Sequence, residues 1–315
     1  MIDGILVREL VTGDDFWGHP TVVPYTQDSI NDATGVLECQ KVSWFGLKVD
    51  RSLEGTSGGQ TKLKGSLHKF WDVYNQPNSD LGDSTGLGKN WSDFGFSDVV
   101  AAVNILGFEH WGVEKSILNG LEFGVNINTG SVEVEKILNS LVSYRGKPFN
   151  VVRSGNKHFC QAETQNYNLK VYDKGLQYRL DQNLIRVEIR VKRMSWIINQ
   201  IGLDKNVPFT LGSLKEFQIY PKLLETLLGV WNDVVMDCCE GVTLDSMSPK
   251  DREDYLKLSN PSEWSKIPQG NTGRVKRYRN KIRLSEIIEN HQNSICFHEL
   301  LGIRIKEKWD SLMVV

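Results

Sequence analysis

Residue types suited to work on a phosphodiester concentrate between positions 167 and 192. Tyr167, Tyr172 and Tyr178 offer phenolic hydroxyls, Asp173 and Glu188 offer carboxylates, and Lys170, Lys174, Arg186, Arg190 and Lys192 supply cations. In the runs 169–174 and 185–192 aliphatic residues alternate with these charged ones, the period of a strand with one dry face and one ionic face. Mixed polarity suffices for a solvated sheet face. Cations gathered around a tyrosine and a carboxylate suit a bound phosphodiester better.

Phosphodiester transfer needs the developing charge neutralised and a nucleophile held in line with the leaving oxygen. A tyrosine is both an attacking and a tolerable leaving group, so a phosphotyrosine intermediate conserves the bond and makes strand cleavage reversible. Tyr172 points onto the charged face, where the structural alternative is packing on lysine stems. Tyr178 follows the break at Gly175 and is placed on a short helical turn facing the site.

Glu122 lies on the polar side of another aliphatic strand, 121–128. With Glu188 beside it, and Asp173 or His68 nearby, it would form an oxygen-rich site for Mg²⁺ or Mn²⁺. The alternative is that each glutamate pairs with Arg186, Arg190 or a lysine across the sheet. His68 is placed on a strand, sharing a face with Lys62 and Lys64. The run His158-Phe159-Cys160 is a weaker metal strand, with cysteine in its last place.

Two glycine-rich stretches, 58–62 and 86–90, lack the glycine-lysine-Ser/Thr order of a phosphate-cradling loop, which argues against ATP binding. A second basic cluster, 274–283, contains Arg274, Lys276, Arg277 and Arg279 together with Tyr278. Its expected use is phosphate contact with Tyr278 stacking on a base, against the alternative of a solvated helix face.

Several elements must position these groups. A polar first half carries strands up to about residue 68, then a Gly/Asn/Ser/Asp-rich loop over 76–92 and a helix over 97–106. Ser131 is expected to cap a helix with Val134, Ile137, Leu138, Leu141 and Val142 inward. A further helix spans 194–202. From about 211 the period is helical, with no convincing strand. The pattern predicts an α+β fold, an antiparallel sheet with helices packed on one face, over residues 1–205. A smaller helical, DNA-contacting domain follows over 206–315.

The chain has 315 residues, a hydrophobic fraction of 40% and a formal net charge of −2. Overall basicity therefore does not drive nucleic-acid binding, and any contact must come from local clusters. Five cysteines, none spaced as CxxC, argue against a disulfide framework or a thiolate zinc site. No segment approaches the ~20 apolar residues of a membrane span, so a soluble cytoplasmic protein is expected.

Residues 1–3, 65–70, 121–127, 167–177 and 185–192 resemble, in this order, the gene II/X replication proteins of filamentous phages and their prophage or plasmid relatives. The stretches 169–175 and 186–190 also resemble the Rep_trans plasmid initiators. The resemblance covers roughly residues 1–203. It implies a rolling-circle replication initiator related to the HUH endonucleases: a site-specific, metal-dependent enzyme that nicks one strand at an origin, stays attached to the 5′ phosphate through tyrosine, and rejoins the ends. Carried over, Glu122 takes the first acidic position, Tyr172-Asp173-Lys174 the central motif and Glu188 the acid of Arg-x-Glu. A clean histidine pair is absent.

The catalytic set expected is thus Tyr178 or Tyr172 with Lys174. Glu122, Glu188, Asp173 and His68 are the metal set, and Lys170, Arg186, Arg190 and Lys192 contact DNA. Partners would be origin DNA and a host helicase and polymerase. Two rivals are a non-catalytic origin-binding regulator on the same scaffold and a metal-dependent phosphodiesterase that hydrolyses with water.

Overall fold

The central strands form where β-branched residues alternate with polar ones. The computed structural model describes residues 1–10, 17, 26–30, 33–53, 60–75, 88–109, 113–237, 242–291 and 296–314. The glycine-rich turn at 55–59, most of the loop expected over 76–92, and Cys238 and Cys239 lie outside the described residues.

Ten strands form one antiparallel sheet: β1 (Ile2–Val7), β2 (Thr26–Ile30), β3 (Leu37–Trp44), β4 (Leu47–Ser52), β5 (Thr61–Ser66), β6 (Leu118–Asn128), β9 (Asn150–Ser154), β10 (Lys157–Glu163), β11 (Tyr167–Asp173) and β12 (Leu184–Val191). Their order is β2-β3-β4-β5-β1-β6-β12-β11-β10-β9. Short strands β7 (Leu141–Tyr144), β8 (Lys147–Pro148) and β13 (Val234–Met236) form a second sheet in the order β13-β7-β8. The α+β antiparallel architecture read from the alternation is borne out.

One face of the large sheet is aliphatic. Val125, Val187 and Val171 stand in register across β6, β12 and β11, as do Phe123, Ile189 and Leu169, and all six are at most 1% exposed. Burying each such side chain is worth about 1.5–3 kcal/mol, which pins the register, since a one-residue slip would turn the row to the other face. Helix α3 (Val134–Asn139) covers this face, with Cys160 Sγ against Leu138 O, and α10 (Phe297–Leu312) packs Trp309 edge-on against Phe123.

The opposite face carries the charges in three cross-strand rows: Tyr172–Arg186–Asn126, Lys170–Glu188–Gly124 and Asn168–Arg190–Glu122. Gly124 accepts no side chain, because a Cβ there would lie 2.1 Å from Val187 O. The row is therefore open beside Glu188.

Three local expectations change. Strand β5 stops at Ser66, whose hydroxyl caps α1 (Leu67–Tyr74) by accepting from Lys69 N at 3.1 Å, so His68 belongs to a helix and not to a strand face. Helix α3 ends at Asn139, has Glu133 and not Ser131 at its N-cap, and leaves Leu141 and Val142 to β7. Among the described residues the later half is helical apart from β13, which pairs with β7.

Its helices are α6 (Ile219–Asn232), α7 (Pro249–Leu258), α8 (Pro261–Ser265), α9 (Asn271–His291) and α10. Helix α2 (Phe96–Glu109) precedes β6, α4 (Lys174–Tyr178) joins β11 to β12, and α5 (Met194–Gln200) follows β12. Among the described residues no helix is long and apolar enough to cross a membrane.

Candidate functional site

Arg186, in the middle of β12, organises the charged face. Its Nε donates to Glu188 Oε2 at 2.7 Å, its Nη1 donates to Asn126 Oδ1 at 2.9 Å, and its Nη2 lies 3.4 Å from Asp3 Oδ2. Arg186 is 2% exposed and Glu188 4%. The alternation in β12 signals a polar face but not its burial. The cover comes from elsewhere in the chain: Asn126 Nδ2 donates to the carbonyls of Asn90 and Trp91, each at 3.1 Å, and draws that segment across the face.

Asp3 sits at the centre of this cover. It accepts from Ser66 Oγ at one oxygen and from Asn90 Nδ2 at the other, the latter at 2.7 Å. Ser66 thus joins the start of α1 to the site. Arg186, Lys174 and these hydrogen bonds outweigh burial and hold the Asp3 carboxyl well below the usual carboxylate range.

Lys174 opens α4 and is buried. Its ammonium donates to Asn90 Oδ1 at 2.7 Å and to the Tyr172 hydroxyl at 3.3 Å, and it lies 5.1 Å from the Tyr172 ring centroid and 5.2 Å from that of Tyr178. Burial, reinforced by Arg186, lowers its pKa to about 7. Near neutrality this amine exists in both protonation states, a property of groups that move protons.

The two tyrosines differ. Tyr172 donates to Glu188 Oε2 at 3.2 Å, and burial followed by the Glu188 charge raises its pKa well above the usual phenol value. Tyr178 is only partly buried, and its hydroxyl donates to Asn90 Oδ1 at 2.5 Å. Asn90 Oδ1 therefore receives both Lys174 and Tyr178.

Asp3, Asn90, Tyr172, Lys174 and Glu188 line a cleft of about 650 Å³, to which Tyr178 is tied through Asn90. Seven cations line it, Arg8, Lys64, Lys69, Lys170, Lys174, Arg190 and Lys192, against the three carboxylates Asp3, Glu122 and Glu188. A cleft with this excess focuses a positive potential. Some of its cations are paired: Arg190 Nε with Glu122 Oε1 at 3.0 Å, Lys64 with Asp50 at 2.9 Å and Lys192 with Glu163 at 3.6 Å. Lys170 lies 3.9 Å from Glu188 Oε1 and over the rings of Phe159 and Tyr172.

Glu122 and Glu188 are diagonal neighbours on one sheet face, positions that stand about 7–8 Å apart. The Glu122 carboxylate lies over Gly4, where a Cβ would come within 2.7 Å of it. Burial, then the Glu188 charge, raises its pKa to about 7. The pairing weighed as the alternative is present for both acids, Glu122 with Arg190 on the adjacent strand, and Glu188 with Arg186 on its own strand and with Lys170 across the sheet at 3.9 Å.

The four expected metal ligands do not converge. Asp173 caps α4 by accepting from Leu176 N at 2.7 Å and feels His158 and Glu135. It follows Tyr172 in the strand and so falls on the opposite side of the alternation. The His68 ring meets Ser92 Oγ at 3.1 Å and stacks on Phe94 at 4.7 Å, and burial lowers its pKa to about 3. His158 Nε2 accepts from Arg153 at 3.1 Å. Among the described residues no three His, Cys, Asp or Glu side chains are grouped to hold a metal ion.

The basic cluster lies within α9. Arg274, Lys276 and Arg279 are exposed, as is Tyr278 at 66%. Arg277 instead donates to Pro268 O at 2.9 Å, and Arg283 is held by Asp251 and Asp254.

Residues that pattern alone did not nominate are Asp3, Ser66, Asn90 and Asn126. Ser66 and Asn126 fall on the polar side of strand alternations, which marks a face and not a role, while Asp3 and Asn90 carry no periodic signal of their own.

No family model matches this chain. No curated protein matches it. Among solved structures it is similar to the rolling circle replication initiator protein from Geobacillus stearothermophilus. The likeness covers 90% of this chain and 96% of that one, at 12% identity and a TM-score of 0.38. So loose a likeness fixes neither the fold nor the function, and the resemblance to the phage gene II/X proteins rests on the short motifs alone.

Proposed function

We infer that this protein is a rolling-circle replication initiator, a site-specific endonuclease that nicks one DNA strand and rejoins it through a covalent 5′-phosphotyrosine. The observation that carries this inference is the meeting of Tyr178 and Lys174 on Asn90 Oδ1, since Asn90 and Lys174 themselves line a cleft with an excess of cations and Tyr178 is tied to that lining through Asn90.

A DNA backbone laid in the cleft meets Lys170, Arg190 and Lys192, which hold the phosphates flanking the scissile one. The Tyr178 oxygen forms the new bond to phosphorus as the bond to the 3′ oxygen breaks. Unprotonated Lys174, beside Tyr178 at Asn90 Oδ1, takes the phenolic proton once the Tyr178 hydroxyl turns from that acceptor to the phosphate, and the departing 3′ oxygen takes a proton from water to become a hydroxyl able to prime a polymerase. Arg186 fixes Asp3 and Glu188 in place, which orients Asn90 and Tyr172.

Glu122 and Glu188 would hold Mg²⁺ or Mn²⁺. Such ions commonly take one or two protein carboxylates plus phosphate oxygens, and Glu122 and Glu188 stand as diagonal neighbours on the sheet face that lines the cleft. Bound there, the ion supplies charge neutralisation of the phosphate.

Incubation with supercoiled plasmid bearing the replicon's origin, with Mg²⁺ or Mn²⁺, tests the function. An open circle carrying covalently attached protein supports it. The arginine partners of Glu122 and Glu188 favour one second reading, an origin-binding regulator that does not cut. A gel shift with no open circle would establish that instead.

A further inference from the structure

A second cavity, also of about 650 Å³, lies beyond the Asn90–Trp91 segment. Its volume falls within the range of small-molecule pockets. The two cavities share a wall: Asn126, which lines the second, donates to the carbonyl of Asn90, which lines the first and holds Lys174 and Tyr178, and the neighbouring Trp91 lines the second.

Its chemistry differs from that of the first. The cations on its rim are matched by acids, Arg304 with Glu307 at 3.3 Å and Lys308 with Asp93 at 2.6 Å, so there is no excess charge for a phosphate. The remaining polar lining is largely carboxamide. Asn128 Oδ1 is taken by Gly130 N at 2.8 Å, and Asn128 Nδ2 reaches Gln182 Oε1 at a long 3.4 Å. Asn128 and Gln182 are exposed, and Trp91 is half-buried.

We propose that this cavity binds one unpaired base of the strand whose phosphate occupies the tyrosine cleft, with Trp91 stacking on the base and Gln182, steadied by Asn128, hydrogen-bonding to its edge. This inference rests on the nicking function proposed above. A carboxamide matches the adjacent donor and acceptor of adenine, so adenine is the preferred base. Stacking on an aromatic ring is sequence-tolerant, and selectivity therefore resides in Gln182.

The test is fluorescence-anisotropy titration of short labelled oligo-dA, oligo-dC and oligo-dT without divalent cation, so that no cleavage intervenes. Wild-type protein should bind oligo-dA about tenfold more tightly than oligo-dT. Gln182→Ala and Asn128→Ala, both at exposed positions, should abolish that ratio while leaving the salt dependence unchanged. Trp91→Ala should weaken all three strands alike, provided its thermal transition matches wild type.

Equal affinity for the three strands, or a preference that survives in Gln182→Ala, overturns the inference and leaves strand binding intact. No binding of any strand by wild-type protein overturns it together with the nicking function. If wild type nicks origin plasmid but the base preference is missing, the base site alone is wrong.

Discussion

The Lys174 ammonium stands 3.3 Å from the Tyr172 hydroxyl and shares with Tyr178 a single acceptor, Asn90 Oδ1. The two tyrosines have different protein surroundings. Tyr172 is buried against the charge of Glu188, which opposes formation of its phenolate. Tyr178→Phe is expected to abolish the protein–DNA adduct with folding unchanged. Tyr172→Phe should keep the adduct and cost about 1 kcal/mol through its lost hydrogen bond to Glu188. Adduct yield on denaturing gels, with urea titration of each variant, checks both.

Arg186 is buried between two buried acids, Asp3 and Glu188. Removing the cation leaves uncompensated buried charge, a change that typically costs about 3–5 kcal/mol. Arg186→Met should fall in that range by urea denaturation at neutral pH. The double variant Glu188→Gln, Arg186→Met should recover part of the loss.

Glu122 and Lys174 give stability opposite dependences on pH in separate windows. The Glu122 carboxyl rises from 4.5 to about 7 on folding, so the native state holds its proton more tightly. Its contribution is fully present below pH 4.5 and lost as pH rises through 7. Lys174 falls from 10.5 to about 7, so the unfolded state binds more protons between those values and stability rises with pH across them. The Glu122 side chain is 28% exposed, which discounts the effect. Glu122→Gln should gain on the order of 1–2 kcal/mol over wild type between pH 4.5 and 8. Urea denaturation across that range measures the difference, and parallel curves would contradict it.

The exposed cations of α9 make a separate prediction. If Arg274, Lys276 and Arg279 contact DNA phosphates, their replacement by glutamine lowers the slope of log affinity against log salt by roughly 0.7–0.9 for each. Arg277→Gln should act through stability instead, since that side chain holds Pro268 O. A slope unchanged in the triple variant would assign this helix face to solvent.

The strands of the site were legible because their alternation is regular. The runs 169–174 and 185–192 coincide with most of β11 and β12, and Glu122 does share their charged face. What pattern does not encode is cover. Arg186 and Glu188 read as solvent-facing until Asn126 draws Asn90 and Trp91 over them. His68 was misplaced because the strand ends at a serine that caps a helix, so the period changes one residue before the histidine. Asp173 was misassigned because a carboxylate at a strand end serves equally as ligand or N-cap, and its bond to Leu176 N makes it the cap. Asp3 and Asn90 lie 87 residues apart and meet only in the folded chain.

Asp173 also sets the turn that carries Tyr178. Asp173→Ala removes the cap of α4 and should cost about 1 kcal/mol. Displacement of Tyr178 should lower nicking more than strand binding, and the ratio of the two rates in Asp173→Ala against Asp173→Asn checks the positioning role. Asparagine, which also caps, should restore nicking.

The direct measurement is mass spectrometry of the covalent product after nuclease and protease digestion of protein trapped on nicked origin DNA. A 5′-nucleotide joined through phosphate to the Tyr178 oxygen is the predicted product. Nicked DNA with a free 5′ phosphate and no modified tyrosine, or an adduct on a residue remote from this cleft, would contradict the account.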